Sequence, residues 1–144
     1  MTRVLKPLDF QALYILLCIK VALVTDPACG SGGFLIESLR HVWSQVKTEG
    51  EDLGWPEREI HADQQEVAIK NFRGIDKESF LSKTTKAYMA ILGDGRGGIF
   101  CENSLEMPTN WSAATQNAVQ MGMFDVILTN PPYGSKLKTQ KPSN

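Results

Sequence analysis

Apolar residues switch between two periods along this chain. Leu8, Ala12, Ile15, Leu16 and Ile19 recur at helical spacing, which predicts a helix over 8–19. Val21-Ala22-Leu23-Val24-Thr25 follows as a continuous apolar run bounded by Asp26-Pro27, the pattern of a buried parallel strand. Beyond Gly30 to Gly33 the helical spacing returns, with Leu35, Ile36, Leu39, Val42, Trp43 and Val46 on one side of a helix over 34–46. The first unit is therefore strand, Gly-rich turn, helix. Thr48 to Gln65 is polar and charged, punctuated by Gly50, Gly54 and Pro56, and reads as a surface insertion. Val67 to Ile75 is expected to hold a second strand at its end, closing with Asp76. Ser79 caps a helix over 80–92 with Leu81, Thr84, Thr85, Tyr88, Met89 and Leu92 inward, ended by Gly93-Asp94-Gly95 and Gly97-Gly98. Ile99-Phe100-Cys101 is a third strand, Trp111 to Gln120 a helical stretch, and Phe124 to Thr129 a fourth strand. The Lys-rich tail over 135–144 is expected to be disordered.

Strands alternating with helices imply right-handed crossovers. The fold class is α/β, a mostly parallel sheet of about four strands with flanking helices. Ligands of such sheets sit beyond the carboxyl ends of the strands, near the point where strand order reverses. Asp26, Asp76, Asn103 and Asn130 each stand at, or within two residues of, such an end. They are expected to gather into one site.

Composition narrows the classes. At 144 residues, 42% hydrophobic and 22% charged, the chain reads as one soluble globular domain. Its net charge of −1 lacks the basic excess with which a free-standing DNA-binding domain neutralises phosphates, so this piece is not expected to grip DNA unaided. Cys18, Cys29 and Cys101 are odd in number and without CxxC spacing, and His41 and His61 lie far from them. This favours reduced thiols in a cytoplasmic setting and no metal site. Arg3 and Lys6 precede the apolar stretch Leu13 to Val24, but Lys20 interrupts it and no small-residue cleavage site follows. Neither an export signal nor a membrane span is expected.

Two segments carry chemistry. Gly30, Gly32 and Gly33 remove Cβ atoms from the turn after the first strand, permitting close backbone approach to a ligand at a helix N-terminus with exposed N–H groups. The turn lacks the Lys-Ser/Thr pair of a phosphate-cradling loop and the G-x-G-x-x-G spacing of a dinucleotide fold. Tight helix–strand packing is the plainer reading of Gly32 and Gly33, and a charge facing a helix dipole that of Asp76. In Asn130-Pro131-Pro132-Tyr133 the double Pro stiffens a loop directly after a strand, and its plainer reading is a strand-ending turn.

Together, Asp26-Pro27-Ala28-Cys29-Gly30-Ser31-Gly32-Gly33-Phe34 and Asn130-Pro131-Pro132-Tyr133, in that order, resemble the cofactor and catalytic loops of S-adenosylmethionine-dependent DNA adenine-N6 methyltransferases. The nearest match is the modification subunit of type I restriction-modification systems. The resemblance covers 21–134. It implies a Rossmann-like class I methyltransferase fold truncated to its first four strands, a partial domain over 1–134. It implies that Ala28, Cys29, Gly30, Ser31, Gly32 and Gly33 wrap the methionine end of the cofactor, with Asp26 at its amino group and Phe34 packed on it. Asp76 would take the ribose hydroxyls, and Asn103, with Ser104 beside it, the cofactor adenine. Adenine's exocyclic amine is a poor nucleophile because its lone pair is delocalised. By resemblance, the Asn130 side-chain oxygen and the Pro131 carbonyl accept its two hydrogens and favour a pyramidal nitrogen. Pro132 stiffens the loop, and Tyr133 stacks the base flipped out of its duplex. The methyl then moves by in-line displacement, without a covalent enzyme intermediate.

The implied partners are DNA, reached through further regions or a specificity subunit, and other restriction-modification subunits. Lys6-Pro7-Leu8-Asp9-Phe10 departs from the Phe-x-Thr-Pro-like motif usual before the first strand. The fourth strand is expected to form an apolar edge, covered by the 8–19 helix or by a second copy in a homodimer. Two other functions stay open. Asn-Pro-Pro-Tyr also serves methyltransferases acting on protein glutamine or on guanine N2 of ribosomal RNA, whose usual cofactor loop is Asp-x-Gly-x-Gly-Ser-Gly. The other is a catalytically silent fragment acting as a cofactor-binding or interaction module.

Overall fold

The computed structural model describes residues 22–93 and 95–131. The helix expected over 8–19, the tail over 135–144, and Pro132 and Tyr133 lie outside the described residues.

The elements alternate as the apolar pattern requires: β1 (Val24–Asp26), α1 (Gly33–Asp52), α2 (Glu57–Asn71), β2 (Phe72–Asp76), α3 (Ser79–Gly93), β3 (Ile99–Cys101), α4 (Ala113–Ala118) and β4 (Val126–Ile127). Short 3-10 turns at Gly95–Gly98 and Pro108–Asn110 complete the path. All strand pairs are parallel, and the order across the sheet is β3-β2-β1-β4. Val24 sits opposite Phe72 on one side and Val126 on the other, and Asp26 opposite Gly74. The chain thus steps outward from β1 to β3 and then returns to β1's other side. The reversal places a switch point between the carboxyl ends of β1 and β4.

Strand alternation divides the core. Val24, Phe72 and Ile99 point to the face covered by α1, α2 and α3, where Leu35, Leu39, Val42, Val46, Ile60, Val67, Ala68 and Met89 complete one buried cluster. Ile75, with Trp111 and Val119, forms a smaller cluster supported by Phe100, Ala118 and Phe124. At the β4 edge Ile127 is 64% exposed, so the described sheet does end on an apolar edge.

Several expectations need correction. First, the presumed insertion over 48–65 is helical: α1 continues to Asp52 and α2 begins at Glu57. Its Glu, Gln, Ala and Arg residues are good helix formers, and Glu57 and Glu59 complement the dipole at the start of α2. Gly50 is no breaker but a close-approach position, since a Cβ there would lie 2.6 Å from Ile60 Cγ1. Trp43 Nε1 donates to the Gln64 carbonyl at 2.7 Å, and Gln64 Nε2 returns a bond to the Trp43 carbonyl at 3.0 Å, tying the two helices together. Second, the strand expected at the end of the 67–75 stretch is there, closing with Asp76, but it begins at Phe72 rather than Asn71, and residues 67–71 complete α2. Third, β4 is two residues long rather than six, and Tyr88 is half exposed rather than inward. Asp125 shortens β4, because its Oδ2 accepts the Leu23 N–H at 2.8 Å in place of a strand carbonyl. The third strand falls at Ile99–Cys101 as expected. The first strand is shifted to Val24–Asp26, and α4 is shorter than the expected stretch.

Candidate cofactor and catalytic site

The turn after β1 is fastened to its neighbours atom by atom. Asp26, only 2% exposed, accepts the Ala28 N–H on Oδ1 at 3.0 Å. The Cys29 N–H donates to the Ile75 carbonyl at 2.9 Å, joining the turn to β2. The Gly30 N–H donates to Asp76 Oδ2 at 2.8 Å, while Asp76 Oδ1 accepts the Glu78 N–H at 2.8 Å. From the other side, the buried Thr85 hydroxyl of α3 donates to the Gly30 carbonyl at 2.8 Å. Gly32 then turns the chain into α1 with φ at 88°, a left-handed conformation that glycine adopts without penalty. A Cβ there would lie 2.7 Å from Thr85 Cγ2, so both conformation and space demand Gly.

This geometry leaves the N-terminus of α1 electrostatically open. Gly32 provides no side-chain cap, and the first turn holds no acidic residue. The N–H groups of Gly33, Phe34 and Leu35 precede the first intrahelical bond, which Ile36 makes to the Gly32 carbonyl. A ligand carboxylate would find donors and a partial positive charge there. Phe34 stands 48% exposed beside them.

Two carboxylates share this end of the sheet. Burial pushes the Asp26 carboxyl above the ordinary value of 3.8, and the charge of Asp76 adds to that, against the hydrogen bonds from Ala28 N–H and the Thr129 hydroxyl. A cationic ligand group would relieve both effects. The Cys29 thiol is pushed up to about 12 by its burial and by Asp26 and Asp76, which rules it out as a thiolate nucleophile at neutral pH. No grouping of metal-ligating side chains occurs among the described residues.

Asp26, Ala28, Cys29, Gly30 and Asp76 are thus in direct hydrogen-bonded contact or adjacent in the chain. The next strand end joins them through the Glu102 N–H, which donates to the Asp76 carbonyl at 3.1 Å. Asn103 follows, but its side chain is engaged in its own turn: Oδ1 accepts the Leu105 N–H at 3.2 Å and Nδ2 reaches Glu106 Oε1 at 3.1 Å. Ser104 lies half-buried in that turn. On the opposite flank the Leu128 N–H donates to the Thr25 carbonyl at 2.9 Å, and the Thr129 hydroxyl bonds Asp26. This sets Asn130 one residue beyond the switch point, where it and Pro131 are exposed. Two contributors had no role assigned from sequence. Thr85 counted only as an inward-facing position of its helix, and Thr129 only as the end of an apolar run. Hydroxyl residues at those two places were the signals available.

A parallel 3-2-1-4 sheet with its polar cluster at the switch point is a Rossmann-like α/β arrangement, the one expected of a methyltransferase fold. The chain belongs to the N-6 DNA methylase family, whose family model matches residues 12–144. It is similar, at 25% identity over 118 residues, to the type II restriction enzyme and methyltransferase RM.BcgI of Heyndrickxia coagulans, covering 81% of this chain and 15% of that protein. It is 27% identical over 116 residues to the type I restriction enzyme StySPI methylase subunit of Salmonella potsdam, covering 81% of this chain and 20% of that subunit. The chain therefore spans a fifth or less of the length of these curated relatives. None of the helices among the described residues is long and apolar enough to cross a membrane.

Proposed function

We propose that this chain carries the cofactor-binding and catalytic loops of a restriction-modification DNA methyltransferase, transferring a methyl from S-adenosylmethionine to adenine N6. The observation that carries the reading is the convergence of Asp26, Gly30 and Asp76 on one side of the switch point with Asn130 on the other.

The residues fit this cofactor's chemistry. S-adenosylmethionine, when bound, supplies an electrophilic methyl on a sulfonium. Its amino-acid end carries an ammonium for buried Asp26 and a carboxylate for the uncapped N-terminus of α1. Each Asp76 oxygen accepts one backbone N–H and keeps a lone pair for a ribose hydroxyl. Asn103 and Ser104 would lie beside the cofactor adenine, and Phe34, half exposed, would pack on the cofactor. On the reacting side, Asn130 presents an oxygen and Pro131 a carbonyl where a base arriving from solvent can place its amine. By the resemblance of the motif, Pro132 would stiffen the loop and Tyr133 would stack the base. The partners are duplex DNA and further restriction-modification subunits, with the exposed β4 edge available to a second copy or to the segment before β1.

The test is a transfer assay with methyl-tritiated S-adenosylmethionine on unmethylated duplex DNA, ribosomal RNA and protein, followed by digestion to nucleosides and amino acids. Label in N6-methyladenine is the expected product. Label in guanine or glutamine would move the function to the other amino-methyltransferases. Cofactor binding with no transfer, even alongside the remaining subunits, would leave a silent binding module.

A further inference from the structure

Gly30 has unusual freedom and is given none of it. Its φ is +54°, in the left-handed region, and a Cβ there would touch nothing within 4 Å, so neither sterics nor chirality confines this residue. Two side chains from distant parts of the chain confine it instead. Asp76 accepts its N–H and Thr85 donates to its carbonyl, each at 2.8 Å. These groups belong to the two peptide planes flanking the Gly30 Cα, so the pair fixes both torsions between them. Thr85 is fully buried, and its methyl also fills the space that glycine at 32 leaves open. It is therefore aligned by packing before any ligand arrives. The entropy of ordering the loop is met largely on folding rather than on binding.

We propose that Thr85 is a positioning residue of the cofactor site: its hydroxyl holds the Gly30 peptide in the conformation that aims the following N–H groups at the ligand. This rests on the reading of the loop as an S-adenosylmethionine site and extends it to a residue of α3 that touches no cofactor.

The test compares the full chain with Thr85→Val, which keeps the methyl and removes the hydroxyl, and Thr85→Ser, which keeps the hydroxyl and removes the methyl. Amide exchange at Gly30 and Gly32 is read without ligand, and the S-adenosylmethionine dissociation constant is read by calorimetry. In Thr85→Val, exchange at both amides is expected to quicken about tenfold, with Leu39 and Val42 unchanged, and the dissociation constant to rise about tenfold. Thr85→Ser is expected to stay within about threefold of the unmodified chain on both. An unchanged dissociation constant in Thr85→Val, or equal impairment by both variants, overturns the proposal. Should Thr85→Val not fold, the Thr85 hydroxyl proton of the unmodified chain decides: slow exchange supports the contact, and rapid exchange with water refutes it. Failure of the unmodified chain to bind S-adenosylmethionine would refute the cofactor reading separately, while exchange at Gly30 still reports on the clamp.

Discussion

Gly30 and Asn130 follow neighbouring strands and lie at the same end of the sheet, yet the structure treats them differently. Around Gly30 both backbone groups are bonded to side chains, Cys29 is buried, and Asp26 is 2% exposed. Around Asn130 the strand behind is two residues long, and both Asn130 and Pro131 are exposed. The difference follows from position in the sheet: β1 is paired on both sides and the turn after it is held by Asp76 and by Thr85 of α3, while β4 is, among the described residues, an edge strand paired with β1. It also suits the two tasks proposed for them. A small cofactor gains affinity from a site ordered in advance. A base that must leave its duplex needs an accessible loop that closes around it afterwards.

Breaking the rigid side is expected to give the largest effect. Gly32→Ala forces a left-handed torsion on Ala and drives its Cβ to 2.7 Å from Thr85 Cγ2, so it should cost about 3 kcal/mol in urea unfolding. A loss under about 1 kcal/mol would mean the turn is looser than the geometry requires.

Asp26→Asn separates binding from stability. The folded chain takes up a proton on Asp26 more readily than the unfolded chain does, because burial raises its pKa above 3.8. The folded state therefore holds more protons between 3.8 and the raised value, and stability falls as pH rises through that window. Above it the full cost of the buried charge remains. Asn keeps an acceptor for Ala28 N–H and removes the charge, so the melting midpoint at neutral pH should rise by about 2–4 °C. S-adenosylmethionine affinity should meanwhile drop about tenfold for want of the ammonium's partner. A variant that is both less stable and equally tight would reverse the argument.

At the exposed loop the effects should be smallest. Asn130→Ala is expected to leave stability within about 0.5 kcal/mol and cofactor affinity within about twofold. Its effect should appear only as lost methyl transfer in an assembly that turns over. Weakened cofactor binding by Asn130→Ala would join the two regions into one unit and erase the contrast.

The parts legible in the sequence were those with local signatures. Ile99-Phe100-Cys101, bounded by glycines and Glu102, reads directly as a strand, and the Gly-rich turn after Val24 announces its own sharp bend. The stretch joining α1 to α2 was hidden because α2 buries only Ile60, Val67 and Ala68, too few for a clear period. Gly50 added to this, since a glycine that admits Ile60 looks the same in sequence as one that ends a helix. Asp26, Asp76 and Asn130 could be assembled from strand ends alone, since parallel topology brings strand ends together. Thr85 could not. Its contact with Gly30 crosses 55 residues and depends on how α3 lies against the turn. The engagement of Asn103 with Leu105 and Glu106 is equally invisible until the turn is drawn.

The most direct measurement is a calorimetric titration of S-adenosylmethionine into the folded chain, paired with Asp76→Ala. Removing that carboxylate strips partners from the Gly30 and Glu78 N–H groups and, on the proposed reading, from the cofactor ribose at once. Saturable one-to-one binding, weakened about a hundredfold by Asp76→Ala, is the predicted result. A chain that is folded by circular dichroism yet takes up no S-adenosylmethionine, or one that binds it equally well without Asp76, would contradict the account.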